Sequence, residues 1–220
     1  MNSTLKFMVI RNMKRYLPLL LIALFSMVLL LIRVKITQSA YYMFLIWNLF
    51  LAALPLLASI VLQSSKRISG HTYLFYILLA TWLFLLPNAP YLVTDLVHFR
   101  RENSVPFWLD LLILGSFSIS GFLFGLASMK NVYNVLLNQW TRTMANIFMI
   151  TVCLLSGMGI YIGRVMRYNS WDILTRPMTL LKDIFITMTS SDTYPAALGI
   201  TLGFGLLQFL LFDLYTTSEK

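Results

Sequence analysis

Apolar positions along the chain come in long runs, and polar positions gather between them. Six windows contain no Asp, Glu, Lys, Arg or His: Tyr16 to Ile32, Ile36 to Ser65, Thr72 to Thr94, Leu111 to Met129, Thr143 to Gly163 and Thr193 to Phe212. A helix needs about 20 apolar residues to cross a bilayer, within a range of roughly 17 to 25. Each window can hold one crossing. The pattern predicts an all-α transmembrane bundle, a single domain over 1–220, with spans near 16–34, 41–62, 70–86, 109–129, 144–163 and 194–214. Pro55 predicts a bend in the second span.

The third window departs from the rest. Its apolar run from Tyr73 to Leu86 is 14 residues long, about 21 Å of helix against a hydrocarbon core of about 30 Å. Proline disfavours helical geometry in the residue before it, so Pro87 predicts a break near Leu85 or Leu86. Asn88 suits an N-cap and Pro90 the first turn of a new helix. That new piece, over 89–99, is expected at the membrane interface. In the alternative reading, the third span starts nearer Ser69 and the second piece lies flat on the membrane surface. A second interfacial helix is predicted over 177–188, started by Pro177, with Met178, Leu181, Phe185 and Met188 at helical spacing and Lys182 and Asp183 on other faces.

Spans four, five and six each carry two glycines four apart: Gly121 and Gly125, Gly159 and Gly163, Gly199 and Gly203. Such pairs form grooves that let a second helix backbone approach. They predict a tight bundle of the last three spans, and they are candidate surfaces for a partner helix.

Composition strengthens the membrane reading. Of 220 residues, 59% are hydrophobic and 11% charged, where a soluble domain carries roughly 25% charged residues. Mean hydropathy is +0.77. Lipid must therefore be the main solvent. The net charge of +9 would suit nucleic acid, but the basic residues fall between apolar runs and form no continuous patch, which excludes that partner. The one cysteine, Cys153, excludes an internal disulfide and a cysteine-based zinc site. Lys6, Arg11, Lys14 and Arg15 before an apolar run resemble a signal peptide, yet Arg33 and Lys35 follow instead of a small-residue cleavage site. A retained first helix is expected. An N-terminus inside puts nine basic residues on the cytoplasmic side (those four with Lys66, Arg67, Lys130, Arg142 and Lys220) against eight outside. The dense group before the first span points to a cytoplasmic N-terminus.

Candidate chemistry lies in two segments, Pro87 to Phe99 and Gly163 to Asp172. One follows the third span and the other the fifth, so helix parity puts both on the same face of the membrane. Asn88, Tyr91, Asp95 and His98 are spaced by three, four and three, which makes one helical stripe. Asp95 could orient the imidazole of His98, and His98 could exchange protons; the plain alternative is the wet face of a surface helix. Arg164 and Arg167 are placed on one helix face, where two guanidinium forks suit a phosphate or carboxylate. Snorkelling at a helix end is the alternative. Asp172 and Arg176, four apart, can pair. Asp110 opens the fourth span, where a carboxylate stabilises the positive end of the helix dipole, and is a site member second. Trp108 and Trp171 suit the aromatic belt. No metal is expected: Asp95 and His98, with Asp110 or Asp172, offer little nitrogen or sulfur, and parity puts His71 on the other side. No cofactor is assigned.

LPNAPYLVTDLVHF (Leu86 to Phe99), Trp108 with Asp110, and GRVMRYNSWD followed by Arg176 and Pro177 together resemble domain of unknown function family 1361, uncharacterised bacterial multi-pass membrane proteins. The resemblance implies a bacterial cytoplasmic-membrane location and supplies no reaction, substrate or cofactor. The residues themselves point to a membrane-embedded enzyme or binding protein acting on an anionic lipid or lipid-linked phosphate. In it, His98 and Asp95 are catalytic, Arg164, Arg167, Asn88 and Tyr91 bind the anion, and Asp172, Arg176 and Asp110 are secondary. A transporter or channel with a discontinuous third helix, and an accessory subunit of a membrane complex, are the alternatives.

Overall fold

A computed structural model of the chain describes residues 3–64, 72–99, 106–168 and 172–217, with side chains from Arg15 onward except those of Ser64, Thr72, Ile173 and Leu174. The described residues are mostly helical, with short turns between helices, and contain no strand. In chain order the helices are α1 (Ser3–Thr37), α2 (Phe44–Ser64), α3 (Thr72–Leu85), α4 (Asn88–Thr94), a 3-10 turn (Asp95–His98), α5 (Phe107–Leu136), α6 (Arg142–Arg164), α7 (Asp172–Thr175), α8 (Pro177–Thr189) and α9 (Tyr194–Thr217). Six stretches are long and apolar enough to cross a membrane: Arg15–Thr37, Phe44–Gln63, Tyr73–His98, Phe107–Leu136, Arg142–Arg164 and Tyr194–Thr217. The protein is a multi-pass membrane protein. Trp171, His71 and the basic residues Lys66, Arg67, Arg100 and Arg101 lie outside the described residues.

Helix α5 is the axis of the bundle. It packs against α1, α2, α4, the 3-10 turn, α6 and α9, while α9 lies along α6. Lipid tails are as apolar as leucine, so burial alone gives two spans little reason to associate. Close packing and interhelical hydrogen bonds must do it. The α1–α5 seam shows both. Buried residues of α1 recur as Tyr16, Leu19, Ala23, Ser26, Leu30 and Arg33, a three-four repeat. Helix α5 answers with Asp110, Ile113, Phe117, Ser120, Phe124, Ala127 and Asn131. This is the spacing of an antiparallel coiled-coil seam. Three polar rungs fix its register. Arg33 Nε donates to Asp110 Oδ1 at 2.6 Å, the Ser26 and Ser120 hydroxyls meet at 3.2 Å, and Tyr16 donates to Asn131 Oδ1 at 3.1 Å. Asn131 also donates to Ser59 of α2 at 3.0 Å. From Asp110 to Asn131 the seam covers about 31 Å at 1.5 Å per residue, about the thickness of the hydrocarbon core.

The third span is less broken than its prolines predict. Pro87 keeps right-handed helical angles (φ −58°, ψ −24°) and caps α4 with no side-chain bond. Asn88 is not an N-cap: its side-chain amide donates back to the Leu85 carbonyl at 2.9 Å. It covers the Leu85 carbonyl because the Ala89 N–H turns to Leu86 instead, at 3.0 Å. The segment expected at the interface is instead packed inside the bundle, with Ala89, Pro90, Leu92, Thr94 and Asp95 buried. It continues the third span.

The glycines explain why. A Cβ on Gly121 would sit 2.9 Å from the Ala89 carbonyl oxygen, and one on Gly159 would sit 2.6 Å from Pro87 Cγ. The grooves of α5 and α6 therefore both receive α4, from two sides, rather than joining the last three spans to one another. Contact between α6 and α9 uses different glycines, Gly157 and Gly205, and the Gly199 and Gly203 pair faces nothing within 4 Å. Helix α8 forms where predicted, with Pro177 in its first turn; Met178, Leu181 and Phe185 are exposed and Leu180 is buried.

Candidate functional site

Helix α4 and the 3-10 turn carry Tyr91, Thr94, Asp95 and His98 to the face of the bundle where α6 ends at Arg164. The two polar segments meet there. Arg164 is the hub. Its Nε donates to Thr94 Oγ1 at 2.9 Å, its Nη2 donates to Asp95 Oδ1 at 2.8 Å, and its Nη1 lies 2.9 Å from His98 Nε2. The guanidinium also lies over the Tyr91 ring, 4.9 Å from the centroid. A guanidinium only donates, so Nε2 of His98 accepts in this arrangement and the ring proton sits on Nδ1. The other oxygen of Asp95 accepts from Asn48 of α2 at 2.8 Å. Asp95 is 1% exposed, and a buried carboxylate needs this pairing to stay ionised.

This geometry alters the expected roles. Asp95 and His98 make no bond to each other; Arg164 stands between them. Orientation of His98 comes instead from Arg164, from the edge-on ring of Phe44 at 5.3 Å, and from Tyr42, whose hydroxyl donates to the His98 carbonyl at 3.4 Å. Arg164 and Arg167 do not share a helix face. Helix α6 stops at Arg164, and Arg167 lies beyond it in the left-handed region at φ +61°. That conformation costs a non-glycine residue about 1–2 kcal/mol. The same ring of Tyr42 stacks on Arg33, 4.4 Å from its guanidinium carbon, and so ties the α1–α5 ion pair to the site.

Beside the hub lies a cavity of about 920 Å³ between α2, α3, α4, α6 and α8. Its polar groups gather around Arg164, where Asn48, Tyr91, His98 and Arg167 line it; Asn88, next to the Pro87 that packs on Gly159, lines it farther along α6. Along α6 the lining turns apolar, with Ile162, Met158 and Leu155, and with Leu51 of α2 and Leu83 of α3; Leu180, Leu181 and Ile184 of α8 add an apolar wall, and Tyr168 bonds to that helix. From Leu155 to Arg164 the α6 lining runs about 14 Å. Tyr168 lines the cavity and donates to Asp183 of α8 at 2.6 Å, which ties the end of α6 to α8. That hydrogen bond holds the half-buried phenol above its ordinary pKa.

Other candidates stand apart. Asp110 is buried against Arg33, which is 0% exposed, so it serves the α1–α5 seam. Asp172 is buried and pairs with Arg176 at 3.3 Å; neither lines the cavity. Among the described residues no group of three or more metal-ligating side chains comes together. Sequence reasoning missed Asn48, Thr94, Tyr42 and Tyr168. Asn48 was detectable as a lone amide inside an apolar window, because a polar side chain within a span must find a partner. The partners of Tyr42 and Tyr168 depend on the tertiary fold and had no local signal.

Fold and site define a multi-pass membrane protein whose polar groups converge beside an amphiphilic cavity at one end of the bundle. The chain belongs to the family described as Protein of unknown function (DUF1361), which matches residues 47–211. No curated protein and no solved structure matches it.

Proposed function

We propose that this protein binds a membrane amphiphile with an anionic head, placing the head at Arg167 and the chain along α6. The observation that carries the reading is the mixed lining of the cavity, polar and cationic around Arg164 and aliphatic along α6 towards Leu155. Ligand cavities of about 300–1,000 Å³ with few polar groups are typical of small-molecule sites. Arg164 acts as a lock: three of its nitrogens and its charge are engaged by Thr94, His98 and Asp95. Arg167 lines the cavity, is exposed, and has no ion pair among the described residues, which makes it the anion-binding arginine. A discontinuous-helix transporter needs an open helix end at the break. The near-helical angles of Pro87 and the Asn88 bond to Leu85 give that reading little support. The proposed setting is the bacterial cytoplasmic membrane with the N-terminus in the cytoplasm.

The test is lipid extraction from the purified full chain, read by mass spectrometry. An anionic lipid should be enriched over bulk membrane composition in wild-type protein. Met158→Trp, which fills the cavity, should return the profile to bulk. A wild-type profile equal to bulk would remove the proposal.

A further inference from the structure

We infer that the ligand is a phosphodiester lipid carrying a single net negative charge, admitted sideways from the bilayer between the α2–α3 wall and α8. The inference rests on the amphiphile-binding reading above.

Charge at the polar end sets the head. Both oxygens of Asp95 are occupied, by Arg164 and by Asn48, so that carboxylate and the Arg164 guanidinium cancel. His98 Nε2 faces that same guanidinium, which can only donate, and so accepts from it. No Asp or Glu lines the cavity. One positive charge is left among the lining residues, Arg167. A monoanionic phosphodiester meets it one to one, and the guanidinium fork can take two of its oxygens. A diphosphate brings at least one further negative charge against a low-dielectric wall with no described cation to answer it. A zwitterionic head brings an ammonium next to Arg167, and no described lining residue offers it a carboxylate; Asp183, behind Tyr168, is engaged by that phenol.

The route follows from exposure. Trp47 of α2, Phe84 of α3 and Leu181 of α8 line the cavity, yet are 54%, 54% and 61% exposed. A lining residue so exposed stands at a mouth. Helix α8 packs on α7 and α9, and reaches α6 through the Tyr168 to Asp183 bond; its remaining edge faces α2 and α3 across the cavity. These mouth residues are apolar, so a chain can pass from the bilayer without exposing hydrocarbon to water.

Photo-crosslinking of the full-length protein in mixed vesicles tests both parts. The probe is phosphatidylglycerol with a diazirine in its acyl chain, and labelled residues are mapped by peptide mass spectrometry. Labels are expected on Leu155, Met158 or Leu181. Unlabelled phosphatidylglycerol should compete, and phosphatidylethanolamine or a long-chain isoprenyl diphosphate should compete about tenfold less. Arg167→Gln should reduce cavity labelling about tenfold. Cavity labelling with equal or better competition by the zwitterion or the diphosphate overturns the charge inference and leaves amphiphile binding standing. Labelling confined to outward-facing residues such as Leu20, Leu24 or Leu210 overturns both.

Discussion

The α1–α5 seam and the α4–α6 site use the same kinds of residue to opposite ends. Each has a buried carboxylate on an arginine: Asp110 with Arg33, and Asp95 with Arg164. Along the seam, each polar rung closes on its partner between facing helices, and apolar side chains fill the intervals. At the site, Asp95 and Arg164 close on each other but hold His98, Tyr91 and Asn48 at the edge of a cavity, with Arg167 beyond them. Burial of ionisable groups therefore does not separate structure from function in this bundle. What separates them is whether the paired groups border space.

The largest effect is expected in the seam. Arg33→Met leaves Asp110 buried and unpaired, a loss of about 3–5 kcal/mol. The double variant Arg33→Met with Asp110→Leu should recover most of it, since a well-packed apolar pair replaces a buried ion pair at little cost. Thermal unfolding of the full chain in detergent checks both. If the double variant is as unstable as the single one, the pair does more than set register. Next comes Gly159→Val, whose Cβ would press on Pro87. Overpacking should cost about 1–3 kcal/mol and displace α4, so lipid retention should fall together with the melting temperature. Arg164→Lys should cost about 1.5–3 kcal/mol, because one ammonium cannot reproduce a planar fork on Thr94, His98 and Asp95. The opposite sign is expected at Arg167→Gly. Relief of the left-handed strain, less the added chain entropy, should raise stability by about 0.5 kcal/mol, while lipid retention falls. A gain in stability with loss of binding at one residue would mark Arg167 as functional; unchanged binding would return it to an ordinary loop residue. Smallest is Arg176→Ala, which takes an exposed guanidinium off buried Asp172 at 3.3 Å, an i,i+4 contact open to water on one side and worth about 0.3–0.5 kcal/mol, and should leave lipid binding alone.

Much of the bundle was legible because a membrane span must satisfy its own backbone and exclude charge over a fixed length. The charge-free windows therefore located the crossings, and parity placed His98 and Arg164 at one end. Pro87 misled because a proline in a span can keep helical angles when local bonds carry the backbone past it, here the Ala89 N–H to Leu86 and the Asn88 amide to Leu85. Glycine spacing revealed the grooves but not their occupant: α4 fits between two of them, and helix-to-helix pairing is not a local property. The hub was half legible. Asp95, His98 and Arg164 stood out as ionisable groups next to apolar runs. That Arg164 would separate the other two, and that Asn48 would complete Asp95, depends on how α2 and α6 approach α4. Arg33 read as a helix-end charge because its partner lies 77 positions away in sequence.

The most direct measurement of the central claim is a reconstruction of the protein in nanodiscs of phosphatidylglycerol and phosphatidylethanolamine. Elongated density should begin within hydrogen-bonding distance of the Arg167 guanidinium and run past Ile162 and Met158 to Leu155. A cavity closed by packed side chains, or lipid density whose head lies away from Arg167, would contradict it.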